Sequence, residues 1–344
     1  LIFEQSAEVL QHVFGLRSFT PGARRTWIRD AAHPILDGLV NPDLADWRGA
    51  TSLGPLDGPP ESLDYVQRWK RVWRCSRLGV VASTIVEKPH LGTFRPLLDS
   101  GFDLRNMSLW EVAEGAGRIV FCQLDVSDRV GRDPVVDRLL TSIVADVQTW
   151  MPLPRRSASL VAESASVPLS GLAAGEGACP TDGSGRVVVL PRGSAAWLAR
   201  NAATISAFLT SGGTILAAGL APDEAHTLAG SVGGVFGVGI KEQWLNPLSG
   251  KLPAAFRGVS PAAVHWRRKL TVPVVTTVPK GGWRSETGVL ATTPVGEGEI
   301  VWISALPADF DPAQRPDLVF TRVNTERLYS IVLGNLGVRE GTTW

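Results

Sequence analysis

The chain has 344 residues, 44% hydrophobic and 19% charged, with Lys and Arg totalling 34 against 33 Asp and Glu. That composition excludes a disordered or fibrous polymer and supplies apolar material for two cores, at a prior of roughly 150 residues per domain. The charge balance leaves no footprint for nucleic acid and no basic block for a membrane surface, and no apolar run approaches the ~20 residues of a membrane span.

In chain order, Leu1–Glu4 reads as a buried strand, and Ala7, Val9, Leu10, Val13 and Phe14 recur at helical spacing before Gly15 stops the helix. Leu1-Ile2-Phe3 opens without Met, basic leader or signal-peptide core, so a fragment is expected, with its first strands and any export signal upstream. Residues 40–77, rich in Pro, Gly and charge, are expected to be an irregular excursion. Gly79–Val86, rich in β-branched residues, is predicted as a strand. Residues 109–124 read as a hairpin, with strands Leu109–Val112 and Ile119–Leu124 around a Glu-Gly-Ala-Gly turn at 114–117. Val136, Leu139, Leu140, Ile143, Val144 and Val147 make one apolar helical stripe ending near Trp150. Residues 151–157 have a linker's composition. Val187–Leu190 is a short apolar strand, and Trp197, Leu198, Ala202, Ile205, Phe208 and Leu209 share a helical face. Gly212-Gly213 ends that helix and Thr214–Ala218 is the next strand, which outlines a right-handed parallel crossover.

The second half repeats the first. Gly115-Ala-Gly-Arg-Ile-Val120 matches Gly296-Glu-Gly-Glu-Ile-Val301, each at a hairpin turn, and Asp137-Arg-Leu-Leu140 matches Glu326-Arg-Leu-Tyr329, each expected to open a closing helix. Leu1-Ile2-Phe3 corresponds to Ile215-Leu216-Ala217. Two copies of one domain are therefore expected, at 1–154 and 155–344. The fold class is α/β: two tandem flavodoxin-like, doubly wound, mostly parallel sheets, the first truncated at its N-terminus.

His33-Pro34-Ile35-Leu36-Asp37-Gly38-Leu39, then Asp46-Trp47-Arg48-Gly49, resembles the class I glutamine amidotransferase-like domains attached to bacterial glycoside hydrolases similar to family 2 β-galactosidases. Phe121–Asp125 and Phe320–Leu328 look like their closing segments. The resemblance implies fold more than activity. An active amidotransferase needs a Cys nucleophile on a sharp strand-to-helix turn and a His base oriented by a carboxylate. The corresponding turns here carry Glu4-Gln5-Ser6 and Ala218-Gly219-Leu220, and Asp125 and Pro307-Ala-Asp309 stand where His is expected.

Candidate sites are few. The Gly-x-Gly pairs at 115, 183 and 296 precede strands, whereas a dinucleotide fingerprint follows one. His12, His33, His90, His226 and His265 never fall at metal-ligand spacing, and Cys75, Cys122 and Cys179 form neither a disulfide framework nor a metal knuckle. His33 reads as a turn residue, and Cys122 as a buried inert thiol. Glu4, Gln5 and Asp125, with Glu87 and His90, make the best polar cluster, either a vestigial pocket beyond the strand ends or caps and solvated loops. Trp110, Trp197 and Trp302 are expected in the core. Trp47, Trp69, Trp73, Trp244 and Trp283 fall in irregular segments and could serve a sugar or an interdomain surface.

The expected function is therefore a non-catalytic accessory segment of a glycoside hydrolase, serving interdomain packing, oligomerisation or active-site shaping. Its partner would be an upstream catalytic domain of the same polypeptide, with no cofactor, no metal, no nucleic acid and no membrane. The compartment stays open, an exported one suiting a polysaccharide-degrading parent. Two alternatives stand beside it: a carbohydrate-binding module using surface tryptophans, and an enzyme with a carboxylate site around Glu4, Glu87 and Asp125.

Overall fold

The computed structural model describes residues 1–20, 23–51, 78–101, 104–161, 173–174 and 179–339. Trp69, Trp73 and Cys75 lie outside the described residues, as does most of the Pro/Gly-rich excursion. The chain divides into two compact units, Leu1–Pro89 with Phe94–Pro152, and His90–Thr93 with Leu153–Thr343.

In the first unit, β1 (Ile2–Phe3) runs parallel to β9 (Gly117–Cys122), pairing Ile2 with Phe121 and Phe3 with Cys122. α1 (Ala7–Phe14) follows β1, and the Ser6 hydroxyl caps it by accepting from Val9 N–H at 3.2 Å. Phe14 meets Phe121 edge-on at 5.2 Å, and Phe121 stacks on Trp110. β8 (Asn106–Glu114) is central. β7 (Phe94–Ser100) runs along one edge of it, carrying β3 (Thr26–Ile28). β9 lies along the other edge, then β6 (Ile85–Glu87), which carries β2 (Ser18–Phe19). β4 (Trp47–Ala50) and β5 (Leu78–Gly79) form a separate pair. α2 (Pro134–Thr149) sets Val136, Leu139 and Ile143 into a core with Leu98, Leu109 and Cys122.

The first unit departs from the sequence-based expectations in three ways. The sheet is not mostly parallel: β1–β9 is its one parallel pair among the described residues. Parallel neighbours need long crossovers, usually helical, and the described residues between α1 and β9 contain no α-helix. Gly79–Val86 is not one strand: Val81 and Ala82 bridge to Ala23, and Ser83 is pulled aside by Asp125. The helical stripe is narrower than read, since Val144 and Val147 face solvent.

The second unit has a mixed sheet with a parallel centre. β10 (Ser157–Leu160), β11 (Ala173–Ala174), β12 (Arg186–Pro191), β13 (Thr214–Ala218) and β18 (Gly298–Ile303) are parallel, in the spatial order β11-β10-β12-β13-β18. Numbered along the chain, that order is 2-1-3-4-5, one of the doubly wound orders. β17 (Leu290–Val295) and β16 (Trp283–Arg284) extend it antiparallel. α3 (Ala195–Thr210) is the crossover from β12 to β13, with Trp197, Leu198, Ile205 and Phe208 packed beneath Leu190, Ile215 and Trp302. α4 (Pro222–Ser231) follows β13, and α5 (Leu318–Asn335) closes the unit. Glu326 lies in the middle of α5 and does not open it as the repeat suggests.

Several strands have no counterpart in the sequence analysis, among them β2, β3, β7 and β10, and the longest such element is a ribbon. β14 (Gly237–Leu245) and β15 (His265–Thr277) form an antiparallel ribbon between α4 and the β17/β18 hairpin. On β15, Trp266, Val272 and Val274 are buried, whereas His265, Arg267, Lys269 and Thr271 are exposed.

Candidate functional site

Ligands of open α/β sheets bind beyond the carboxyl ends of parallel strands, which here are the turns after β1 and β13. In the first unit Glu4 sits at φ 46°, a left-handed conformation costing a non-glycine residue roughly 1 kcal/mol or more. Its N–H donates to Cys122 O at 2.9 Å. Its carboxylate accepts from Ser127 N–H at 2.7 Å and from the Ser127 hydroxyl, tying down the 3₁₀ turn Ser127–Arg129. Gln5 N–H donates to Gln123 Oε1 at 2.9 Å, and Gln123 Nε2 returns a bond to the Gln5 carbonyl at 2.8 Å.

Asp125, just past β9, is buried. It accepts from the Ser83 N–H at 2.8 Å and hydroxyl at 2.7 Å. Burial pushes its carboxyl above the usual range, against the lowering pull of Ser83, Thr51 and Arg129. Glu4, Gln5 and Asp125 thus gather beyond β1 and β9, each bonded to groups of this chain and serving as a tie. Glu87 stands elsewhere, on β6 beside Asn106, and pairs with Arg17 at 3.3 Å. His90 is exposed and belongs to the second unit. Burial pushes the Cys122 thiol up to about 12 and the Cys179 thiol up to about 11, so neither offers a thiolate near neutral pH.

In the second unit, Gly219 follows β13 at φ 56° and donates its N–H to Ile303 O at 2.7 Å. Aligned on the matching hairpins, Glu4 falls opposite Gly219, one residue on from the Ala218 that sequence matching suggests. A Cβ at Gly219 would stand 2.5 Å from Leu306 Cγ, so no nucleophilic side chain fits there without moving Leu306. Arg192, after β12, forks onto Asp309 at 2.6 and 3.0 Å and donates to Gly219 O at 2.9 Å. The Glu224 carboxylate takes the N–H groups of Gly193 and Ala221, at 2.8 and 2.7 Å. Behind Asp309, the Tyr329 hydroxyl donates to Ala305 O at 2.9 Å, and burial holds its pKa well above the ordinary tyrosine value. The Gly193, Gly219 and Ala221 N–H groups are thus satisfied from within the chain.

A buried charge cluster escaped the sequence analysis. Glu111, on β8, is buried against Arg95 and Arg118, the latter at 2.7 Å, and Arg118 reaches Asp146 at 2.5 Å. His33, read as a turn residue, does begin the 3₁₀ turn Pro34–Leu36, but its ring is buried. Its Nδ1 accepts from Ile35 N–H, leaving Nε2–H to face Glu111 at 3.4 Å. Glu111 is held down at about 2: burial pulls its pKa up, and His33, Arg95 and Arg118 together outweigh that. The signal was present, since Glu111 interrupts an apolar strand and Arg95 lies directly opposite it on β7.

The tryptophans separate. Trp110, Trp197 and Trp302 are core. Trp47 is 3% exposed, its indole N–H on Asp43 O and Arg129 over its ring, so it offers no face to a sugar, contrary to expectation. Trp283 packs on Phe256 at 5.6 Å. Trp244 is 47% exposed. Among the described residues no group of three or more His, Cys, Asp and Glu is placed to hold a metal, and no helix is long and apolar enough to cross a membrane.

No family model matches the chain, and no curated protein matches it. Among solved structures, the exo-beta-1,4-mannosidase Op5Man5 from Opitutaceae bacterium strain TAV5, a glycoside hydrolase, is distantly similar, at 10% identity and a TM-score of 0.31 over 57% of this chain. The chain spans 38% of that protein's length, and a likeness this weak carries no argument.

Proposed function

We propose that the chain is a non-catalytic accessory segment of a glycoside hydrolase similar to family 2 β-galactosidases. In this reading it consists of two amidotransferase-like domains, 1–154 and 155–344, that serve interdomain packing, oligomerisation or active-site shaping beside a catalytic domain of the same polypeptide. One observation carries it: the position of an amidotransferase nucleophile is filled in both units. Leu306 leaves no room for a side chain at Gly219, and Glu4 is bound into the Ser127 turn. The recurrence of a parallel pair feeding a hairpin, β1-β9-β8 and β13-β18-β17, supports common descent of the two domains.

The test is turnover. Purified chain should hydrolyse neither glutamine nor nitrophenyl glycosides, and Gly219→Cys should not create a glutaminase. Turnover that vanishes with Glu4→Gln, Glu87→Gln or Asp125→Asn would replace this reading with the carboxylate-site enzyme.

A further inference from the structure

Among the described residues, the outer face of the β14/β15 ribbon carries several exposed side chains. Along β15 the exposed His265, Arg267 and Lys269 recur at every second residue, so neighbours stand about 6.5–7 Å apart. On β14, Trp244 and Ile240 are exposed on either side of Glu242. The Lys269 ammonium lies 5.9 Å from the centre of the Trp244 ring and 2.8 Å from the Glu242 carboxylate. Beside this row Phe320, in the first turn of α5, is 50% exposed, with the Arg267 guanidinium 5.2 Å from its ring centre. Two large rings are thus left wet, each next to a cation of β15. Exposed aromatic area of this kind marks recognition surfaces.

We propose that this face binds an acidic polysaccharide. Trp244 and Phe320 stack sugar rings, Arg267 and Lys269 meet carboxylate or sulfate groups, and His265 supplies a further polar contact. The charge pattern favours this occupant over single-stranded nucleic acid. A polynucleotide carries a phosphate at every unit and calls for a long cationic track. This face has a short basic row with Glu242 set among it, which suits a chain whose charges are sparse. Glu242 occupies the ammonium that an incoming anion would use, so it acts as an internal competitor. The inference goes beyond the accessory reading and does not depend on it, because turnover assays test that reading and retention tests this one.

The experiment is affinity electrophoresis of the whole chain through gels holding polygalacturonate, dextran sulfate, neutral galactomannan or oligo(dT). Retardation by polygalacturonate, by dextran sulfate or by both is expected, and it should fade as salt is raised. The two anionic gels distinguish carboxylate from sulfate recognition. Trp244→Ala and Arg267→Gln should each weaken retention about tenfold, equivalent to about 1.4 kcal/mol. Trp244→Phe should keep most of it, which guards against a folding defect in the alanine variant. Glu242→Gln should tighten retention severalfold, an effect that no general loss of structure produces. No retardation by either anionic glycan overturns the proposal. So does equal retardation by galactomannan, stronger retardation by oligo(dT), or indifference to both Trp244→Ala and Glu242→Gln.

Discussion

After β1 the chain turns left-handed at Glu4 and donates its N–H to the end of β9, and after β13 it does the same at Gly219 against β18. The backbone requirement is shared and the solutions differ. The second unit meets it with glycine and closes the space with Leu306 and the Arg192–Asp309 fork. The first unit accepts strain at a non-glycine residue and uses the side chain as a tie. The interiors differ in the same sense. Among the described residues, the buried Asp, Glu, His, Lys and Arg side chains of the first unit are Asp30, His33, Lys88, Asp99, Glu111, Asp125, Arg129, Asp133 and Asp146, against Glu224 and Arg327 in the second. One unit is held by apolar packing, and the other adds a charged lattice whose worth depends on every member being present.

Breaking that lattice is the most severe test of the contrast. Glu111→Gln takes from the part-buried Arg95 and Arg118 the carboxylate they share, leaving Arg118 to Asp146 alone, and removing one partner of such a network costs about 3 kcal/mol, the low end for a buried pair because Arg95 is partly solvated. Amide exchange should accelerate through β8 and β9 and stay unchanged through β13 and β18. A loss below about 1 kcal/mol in denaturant unfolding would mean that the lattice is well hydrated and the contrast superficial.

Acid should reveal the same asymmetry in the unaltered chain. Glu111 has its folded pKa depressed to about 2 from an ordinary 4.5, so its contribution is complete above pH 4.5 and is lost as pH falls toward 2. The full loss is about 3 kcal/mol. Asp125 works in the opposite direction, its raised pKa favouring the folded state once protonated, and offsets part of this. In the second unit Glu299 is also raised, by burial, so acid does not weaken that unit through it. Exchange measured between pH 5 and pH 2 should show β8 and β9 losing protection before β13 and β18. The reverse order, or simultaneous loss, would sink the assignment of acid sensitivity to the lattice.

Gly219→Ala tests the crowding of the second turn. Left-handed strain together with a Cβ driven against Leu306 should cost about 2–3 kcal/mol, read as a lower unfolding midpoint. If the variant is as stable as the parent, Leu306 moves freely and the space is open after all.

How much of this was legible depended on whether the signal was local. Thr214–Ala218 is a Thr followed by four apolar residues, flanked by glycines, and it is a strand with those same bounds. The hairpin turns at 115–116 and 296–297 announced themselves through Gly-x-Gly between apolar runs. Pairing direction in the first unit did not, because a short apolar strand reads alike whether its neighbour is parallel or antiparallel. The β14/β15 ribbon was missed because the polar side chains of His265, Arg267, Arg268 and Lys269 mask an alternation visible only once Trp266, Val272 and Val274 are known to be buried. At the site, the polar residues Glu4, Gln5 and Asp125 were found, but not the Ser83 and Ser127 that bind them. Those partners come from distant segments, and serine gives no periodic signal. Trp47 was misplaced for a related reason: an irregular segment suggested exposure, and Arg129 and the Asp43 carbonyl enclose it.

The smallest effect separates strain from bonding at Glu4. Glu4→Ala keeps the left-handed residue and removes both bonds to Ser127, each worth roughly 0.5 kcal/mol at this exposed site, so it should destabilise by about 1 kcal/mol. Glu4→Gly loses the same bonds but removes the steric cost of φ 46°, roughly 1 kcal/mol, partly offset by the added freedom of glycine in the unfolded chain. The glycine variant should therefore be the more stable of the two by about 0.5–1 kcal/mol, although it lacks the larger side chain. That ordering cannot come from bonding, which the two variants share, nor from apolar burial, which favours alanine. It follows only if the first turn tolerates strain that the second avoids. Equal stabilities in parallel urea titrations would show that Glu4 is relaxed where it stands, and that the two turns differ in side chain alone.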